Sequence, residues 1–175
     1  YVRDTSRKIT AVLKARGMSG KAHTSNRCCY GYKKSADNPD KWVIDDEAAE
    51  VVRRIFNMCL NGKGPYQIAR ELAEDKVERP EYYLGIRGRG VNTKSFDMEH
   101  PYMWRGGTVK TILTRMEYTG CTVNFRTKKE SYKDKRPTKV DSSEWIIFED
   151  TQEPIIDKHT WETVQKLLDT PRRKG

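Results

Sequence analysis

The stretch from residue 46 to residue 61 constrains the fold of this chain more than any other. Its apolar side chains recur at the i, i+3, i+4 and i+7 spacing of one helical face: Ala48, Val51, Val52, Ile55, Phe56 and Cys59. Asp45 or Asp46 precedes this run as a helix cap, and Asn61-Gly62 follows it as a stop signal. Such a face must be buried against other elements, so the chain needs a shared hydrophobic core.

Two further segments have the same helical period. Residues 65–75 begin with a proline and direct Ile68, Ala69 and Leu72 inward, and Ile-Ala-x-x-Leu after a glycine is typical of the first helix of a helix-turn-helix unit. The small alanine in that motif allows a second helix to approach closely. Residues 104–116 form a third helix that buries Val109, Ile112, Leu113 and Met116. We therefore predict a helix-turn-helix-like core made of helices 46–61, 65–75 and 104–116.

The remaining segments predict short strands, loops and one more helix. Alternating apolar residues predict antiparallel strands near residues 30–44 and 120–148, namely Tyr30 to Lys33, Lys41 to Ile44, Gly120 to Phe125 and Glu144 to Phe148. Residues 76–103 are rich in glycine and proline and indicate a long loop, and a basic span at 126–136 indicates a mobile tip. A last helix carries Trp161, Val164, Leu167 and Leu168 on one face. The predicted fold class is mixed α/β (α+β).

Positive charge is concentrated in two stretches of the sequence. The chain has 175 residues and a formal net charge of +9, with +8 in residues 1–34, −4 in 35–75, +8 in 76–139 and −3 in 140–175. The first stretch is a basic helix with Val2, Ile9, Val12 and Leu13 on one face and cations on the others. Such a helix favours a polyanion, although a solvated helix end has the same composition. We expect the two basic stretches to fold onto a common nucleic-acid-binding surface.

Helix 104–116 is the candidate for reading bases. Opposite its apolar side it presents only hydrogen-bond donors and no acid: Arg105, Thr108, Lys110, Thr111, Thr114 and Arg115. Major-groove recognition requires a helix that buries one face and offers such side chains on the other. An ordinary surface helix is the alternative.

The other candidate contacts are cations outside that helix. We expect phosphate contacts from Arg7, Lys8, Lys14, Arg16 and Lys33, and minor-groove contacts from a loop that contains Lys21, His23 and Arg27. Arg87 and Arg89, flanked by glycines, either enter a groove or stay mobile. The basic span after residue 125 adds Arg126, Lys128 and Lys129.

Several classes of function find little support in the sequence. Cys28, Cys29, Cys59 and Cys121 form no Cys-x-x-Cys pair and the three histidines lack zinc-finger spacing, so we expect neither metal nor cofactor and reduced, cytosolic thiols. No apolar run reaches membrane length, so no membrane partner is expected. Ser6 beside Arg7, or Tyr30 and Tyr32, could in principle act as a nucleophile, but none has a surrounding catalytic set. A stand-alone nuclease and a basic protein-interaction module remain alternatives to a DNA-binding module.

A series of sequence blocks in fixed order resembles the recombinase domain of large serine recombinases, the integrases and transposases of phages and mobile elements. The blocks are Asp4-Thr5-Ser6-Arg7-Lys8, Tyr30-Gly31-Tyr32, Val43-Ile44-Asp45, Glu47-Ala48, Val51-Val52-Arg53-Arg54-Ile55-Phe56, Gly64 with Ile68-Ala69-Leu72, Trp104 with Val109 and Ile112-Leu113, Tyr118-Thr119-Gly120, and Pro154-Ile155-Ile156-Asp157 with Trp161 and Val164-Gln165. One departure is Cys29, where the family commonly has proline before Tyr-Gly-Tyr.

The resemblance implies a domain layout and a set of partners. Residues 1–17 would be the end of a long connecting helix from a missing catalytic domain, which in this family holds the nucleophilic serine. Residues 18–170 would be the DNA-binding recombinase domain, and 171–175 the start of a linker to a missing zinc ribbon. The implied partners are double-stranded DNA, at half of an attachment or transposon-end site, and other recombinase subunits, as a dimer on DNA and a tetramer in synapsis. The implied location is the bacterial cytoplasm.

Overall fold

The computed structural model describes residues 2–20, 27–89, 96–131 and 133–170, and these contain six α-helices. The helices are α1 (Val2–Met18), α2 (Asp46–Leu60), α3 (Pro65–Glu74), α4 (Pro80–Ile86), α5 (Gly106–Thr114) and α6 (Lys158–Asp169). Two short 3-10 turns lie at Met116–Thr119 and Ser142–Glu144. Within this part of the chain, no helix is both long enough and apolar enough to cross a membrane.

Six short strands form three antiparallel pairs. The pairs are β1 (Tyr32–Lys34) with β2 (Trp42–Ile44), β3 (Thr122–Asn124) with β6 (Ile146–Phe148), and β4 (Thr127–Lys128) with β5 (Thr138–Lys139). The β4–β5 hairpin lies in the chain between the partners β3 and β6. Tyr32 lies opposite Ile44, Thr122 opposite Phe148, and Thr127 opposite Lys139. The mixed α/β class with short antiparallel strands near 30–44 and 120–148 is therefore confirmed.

The hydrophobic core surrounds α2. Val52, Ile55 and Phe56 on its apolar face are completely excluded from solvent, as the helical period predicted. The helix packs against α6, α3 and α5, and α5 in turn packs against α3 and α6. These packed helices contribute further buried side chains, namely Ile68 and Leu72 from α3, Val109 and Leu113 from α5, and Val164 from α6. The three predicted core helices thus pack together.

Two buried tyrosines join the first hairpin to the helical core. The Tyr118 hydroxyl donates a hydrogen bond to the Tyr30 carbonyl oxygen at 2.6 Å, and the Tyr32 hydroxyl donates to the Glu153 carbonyl oxygen at 2.6 Å. Gly31 between the hairpin tyrosines has φ +108°, and a Cβ there would lie 3.0–3.2 Å from Ile155, Tyr118 and Val52. Only glycine combines this backbone with so little room.

The predicted long loop over residues 76–103 was wrong, because α4 forms within it. Pro80 supplies a fixed φ at the first turn of α4. Arg79 then donates hydrogen bonds to the carbonyl oxygens of Asp97 at 2.8 Å and His100 at 2.9 Å. The Trp104 indole donates to the Val77 carbonyl oxygen at 2.8 Å. These contacts bring both ends of the segment together; residues 90–95 lie outside the described part.

Several boundaries also differ from the sequence prediction. Helix α5 begins at Gly106 rather than residue 104, because the backbone of Arg105 is extended, and Met116 belongs to the following 3-10 turn. The span 126–136, predicted to have a mobile tip, contributes β4 to a hairpin. Leu167, predicted on the inner face of α6, is 38% exposed.

Helix α1 contacts the rest of the fold mainly at its end. Val2, Ile9 and Val12 are more than half exposed, so its apolar side faces solvent. The Asn124 amide donates a hydrogen bond to the Gly17 carbonyl oxygen at 2.9 Å, and Arg16 forms an ion pair with Asp40 at 2.7 Å. The first basic helix is therefore anchored to the domain at its last turn.

Candidate nucleic-acid interface

Helices α3 and α5 meet at a close contact between a glycine and an aromatic ring. A Cβ on Gly106 would lie 2.7 Å from the Tyr66 ring, so the absence of a side chain lets this ring rest on the start of α5. The Tyr66 side chain is nevertheless 82% exposed. The contact therefore presents an aromatic ring to solvent beside the first turn of α5.

Around this contact lies a polar surface that we call the α3–α5 face. It comprises Tyr66, Gln67, Arg70, Arg105, Gly106, Gly107, Thr108, Lys110 and Thr111, which line two adjoining depressions of about 710 and 730 Å³. Within the described residues, no carboxylate lies at ion-pair distance from Arg70, Arg105 or Lys110. Asp169 at the end of α6 is the acid that lines the first depression. The face is therefore cationic and suited to an anionic partner.

The threonines of α5 offer acceptors and methyl groups rather than free donors. The Thr111 hydroxyl donates to the Gly107 carbonyl oxygen and the Thr114 hydroxyl donates to the Lys110 carbonyl oxygen, both at 2.9 Å. Their hydroxyl oxygens still have free lone pairs, and a threonine methyl group can contact the methyl group of thymine. The first N–H groups of α5 have no intrahelical acceptor, and Arg105 gives no side-chain cap. The first turn of α5 therefore has free N–H donors, and Thr111 and Thr114 add hydroxyl acceptors and methyl groups.

Arg115 and Arg126 lie apart from this face and converge on Glu117. Arg126 forms an ion pair with this buried carboxylate at 2.8 Å and lies over the Trp145 ring at 5.0 Å. Arg115, beyond the end of α5, approaches the same carboxylate at 3.9 Å. Both guanidinium groups stabilise the fold here, so they are less available to DNA than the cations of the α3–α5 face.

The cations of α1 and of the β4–β5 hairpin lie on exposed surfaces. Arg7, Lys8 and Lys14 have no carboxylate at ion-pair distance among the described residues, whereas Arg16 is paired with Asp40. Lys128 in β4 and Lys129 after it are also exposed. The predicted contacts Lys21 and His23 lie outside the described residues.

Five further cations come together in a cavity that we call the β1–α4 pocket. It is lined by Arg27, Lys33, Lys34, Arg87 and Arg89, with Cys28 and Tyr32 among its neighbours, and has a volume of about 690 Å³. Arg87 lies 3.7 Å from the centroid of the Tyr83 ring and contacts Glu47 at 3.2 Å and Glu78 at 3.4 Å. Acids of the same chain thus hold both arginines, and the expectation that Arg87 and Arg89 enter a groove stays a prediction.

The side chain of Asp45 takes part in this cluster and does not cap α2. Its carboxylate accepts hydrogen bonds from the Tyr83 hydroxyl at 3.1 Å and from Arg89 at 2.8 Å. The backbone of Asp45 does occupy the N-cap position, but no side-chain cap bond forms. Asp45 therefore stands at the predicted N-cap position, but the prediction that its side chain caps the helix was wrong.

Sequence reasoning missed the contribution of α3 to the α3–α5 face. Tyr66 and Arg70 stand one helical turn apart, and Gln67 lies beside them. An exposed tyrosine next to a helix-starting proline, with an arginine four residues later, is a signal that could have identified them.

Two of the three nucleophile candidates are enclosed by the fold, and the third lies on α1. Tyr30 and Tyr32 are buried, and burial raises the pKa of both phenols well above the usual range, so they stay protonated. Ser6 lies on α1, where its carbonyl oxygen accepts the Thr10 hydroxyl in a local helix contact. Among the described residues, no group of three or more potential ligands forms a metal site.

Comparison with known proteins adds independent information. A family model described as Recombinase matches residues 46–171. The Bacillus subtilis (strain 168) uncharacterized protein YefB is 34% identical over 71 residues, which are 41% of this chain and 24% of YefB. A crystal structure of an LSR–DNA complex has 18% identity and a TM-score of 0.45, over 92% of this chain and 37% of the other. A structure concerned with the sequence requirements of the Listeria innocua prophage attP site is 18% identical, with a TM-score of 0.42. The match covers 91% of this chain and 50% of the other chain. Each match spans half or less of the other protein.

Proposed function

This chain belongs to the Recombinase family, and from this premise we propose that it binds half of a recombination site on double-stranded DNA as one module of a serine site-specific recombinase. The observation that carries the proposal is the α3–α5 face. There Arg70, Arg105 and Lys110 lie beside an exposed tyrosine, and no described carboxylate is at ion-pair distance from them, although Asp169 lines the same depression as Arg70 and Lys110. Such a face complements a duplex, which carries phosphates along its backbone and acceptors at its base edges.

In this proposal, contacts to bases and to phosphates come from different elements. Helix α5 lies in the major groove, where Arg105 and Lys110 contact base edges and Thr108 and Thr111 add acceptors and methyl groups. Helix α3 supports it, with Arg70 and Gln67 toward the backbone. Arg7, Lys8 and Lys14 on α1 contact phosphates farther along the duplex. The fold supports this division because α5 is held by the core on its opposite side, through Val109 and Leu113.

We also propose a place for this chain in a longer protein. Residues 1–17 end a helix that connects it to a catalytic domain, residues 18–170 bind DNA, and residues 171–175 lead to a zinc ribbon. The other subunits of the recombinase are then bound mainly through those further domains. The proposal assigns strand cleavage to the catalytic domain and gives this chain the task of positioning it on the site.

The binding part of the proposal is tested with the wild-type chain and duplexes from the ends of its own element. We expect tighter binding to the cognate duplex than to a scrambled one, together with a steep decrease in affinity as salt increases, since each neutralised phosphate contributes about 0.9 to the log–log slope. A basic protein-interaction module would show neither. Equal, salt-insensitive affinity for both duplexes would refute the proposal.

The assignment of cleavage elsewhere is tested with supercoiled plasmid that carries the site. Incubation with this chain, with and without Mg²⁺, should give neither nicks nor covalent protein–DNA adducts. A stand-alone nuclease would nick the plasmid. Adducts that disappear in Ser6→Ala or Tyr30→Phe would show that this chain itself carries the nucleophile.

A further inference from the structure

We propose that the β1–α4 pocket binds a backbone phosphate of the same DNA duplex, at a second point distinct from the α3–α5 face. The inference rests on the proposed function and adds a specific contact to it. Three observations carry it: the shape and lining of the pocket, the charge balance of its cations, and its position relative to α2.

The charge balance of the pocket favours an external anion. Arg87 and Arg89 have acidic partners on the protein, Glu47 with Glu78 and Asp45 respectively. Arg27, Lys33 and Lys34 line the same cavity, and none of them has a carboxylate at ion-pair distance within the described residues. The five cations of the pocket and the three acids that hold its arginines leave a net charge of +2, and a phosphate group would neutralise part of that charge.

The pocket is also organised before any ligand arrives. Asp45 is 7% exposed and holds Arg89 at 2.8 Å, while the Tyr83 hydroxyl donates to both oxygens of the same carboxylate. The Cζ atom of Arg87 lies over the Tyr83 ring, 3.7 Å from its centroid. Guanidinium groups fixed in this way lose little conformational entropy on binding a phosphate.

The pKa of the Cys28 thiol is affected by the positive charges of the same pocket. Burial raises the pKa of Cys28 to about 11, and the positive charges of Lys34 and Arg89 act against this rise. Cations from β1 and from the end of α4 therefore act on one point of the pocket.

Helices α2 and α4 connect the two binding points. The pocket is attached to the first turn of α2 through Asp45 and Glu47, and the α3–α5 face begins at Tyr66, beyond the other end of α2. A helix of 15 residues is roughly 22 Å long at 1.5 Å per residue. Helix α4 also links the two surfaces, because Glu81 in its first turn shares a depression with Arg105 and Thr108, and Arg87 directly follows its last residue. The pocket phosphate should therefore lie beside, and outside, the base pairs that α5 contacts.

The test uses Lys33→Ala/Lys34→Ala, because both side chains are exposed on β1 and their loss leaves no buried partner. Arg89 is unsuitable, since its removal would leave Asp45 buried without its cation. A matched double variant, Lys41→Ala/Lys158→Ala, removes the same charge from exposed positions outside the pocket. Affinity is measured at several salt concentrations on cognate duplexes trimmed stepwise from either end.

On the long duplex we expect the pocket variant to bind more weakly than wild type, with a salt slope smaller by about one unit, and we expect the matched variant to change affinity and slope less than that. The difference between the pocket variant and wild type should vanish once trimming from one end has removed the phosphate that the pocket contacts. Equal binding by wild type and the pocket variant at every length would overturn the inference, as would a loss that is independent of length.

Two further outcomes would also overturn the inference. If inorganic phosphate raises the melting temperature of wild type but not of the pocket variant, while both bind the long duplex equally, the pocket takes free phosphate and the inference is wrong. If wild type itself binds no duplex, the proposed function fails and this inference fails with it.

Discussion

Tyr118 illustrates how single side chains hold this fold together. It is fully buried between the first hairpin and the helices, its ring stacks on Tyr32 with centroids 6.2 Å apart, and it meets Phe56 edge to face. Burial raises the pKa of its phenol well above the usual range, so the hydroxyl stays a donor to the Tyr30 carbonyl oxygen. The tyrosine therefore combines a large apolar contact with one obligatory hydrogen bond.

We predict that Tyr118→Phe lowers the free energy of unfolding by about 1–3 kcal/mol, because it leaves a buried carbonyl oxygen without its donor. Urea denaturation followed by circular dichroism measures this change. Tyr66→Phe is the matched control, since Tyr66 is 82% exposed, and its effect should stay within about 0.5 kcal/mol. Equal effects of the two substitutions would contradict the role assigned to the Tyr118 hydroxyl.

At the residue scale the sequence predicted burial better than it predicted polar partnerships. The inward positions of Val52, Ile55 and Phe56 follow from helical periodicity alone, because their environment is set by residues a few positions away. The partners of Asp45 lie 38 and 44 residues along the chain, at Tyr83 and Arg89. No local pattern contains that information, so the carboxylate was assigned to a local cap instead.

At the scale of elements, the first turn of α5 contains two glycines with different surroundings. A Cβ on Gly106 would overlap the Tyr66 ring, whereas a Cβ on Gly107 would meet nothing within 4 Å. Alanine is a better helix former than glycine by up to about 1 kcal/mol. The two positions therefore separate helix propensity from packing.

We predict that Gly107→Ala raises the free energy of unfolding by up to about 1 kcal/mol, and that Gly106→Ala does not, because it must displace Tyr66. Thermal or urea denaturation of the two variants checks this directly. Tyrosine fluorescence should change in Gly106→Ala alone. If Gly106→Ala stabilises the protein as much as Gly107→Ala does, Tyr66 does not pack on the start of α5.

Elements with long, regular patterns were the ones that could be predicted from the sequence. Helices α2, α3 and α5 appeared close to their expected positions because each has a continuous apolar face. Helix α4 has seven residues and is held by hydrogen bonds from Arg79 to Asp97 and His100. The sequence of α4 alone resembles a loop, and the contacts that accompany this helix come from residues distant in the chain.

At the scale of the whole molecule, the two basic stretches of the sequence do meet. Arg27, Lys33 and Lys34 from the first stretch share the β1–α4 pocket with Arg87 and Arg89 from the second. Other members of the second stretch, Arg105 and Lys110, lie on the α3–α5 face. The charge pattern predicted a common surface, whereas the cations are divided between the β1–α4 pocket and the α3–α5 face.

The most direct test of this account compares Lys110→Ala with Lys14→Ala on cognate and scrambled duplexes at several salt concentrations. Both lysines are exposed, one on α5 and one on α1. We predict that Lys110→Ala loses about 1–3 kcal/mol of discrimination, confined to one or two base pairs. Lys14→Ala should weaken both duplexes alike and reduce the salt slope by about one unit. The account is contradicted if Lys110→Ala weakens both duplexes equally while Lys14→Ala changes only sequence preference.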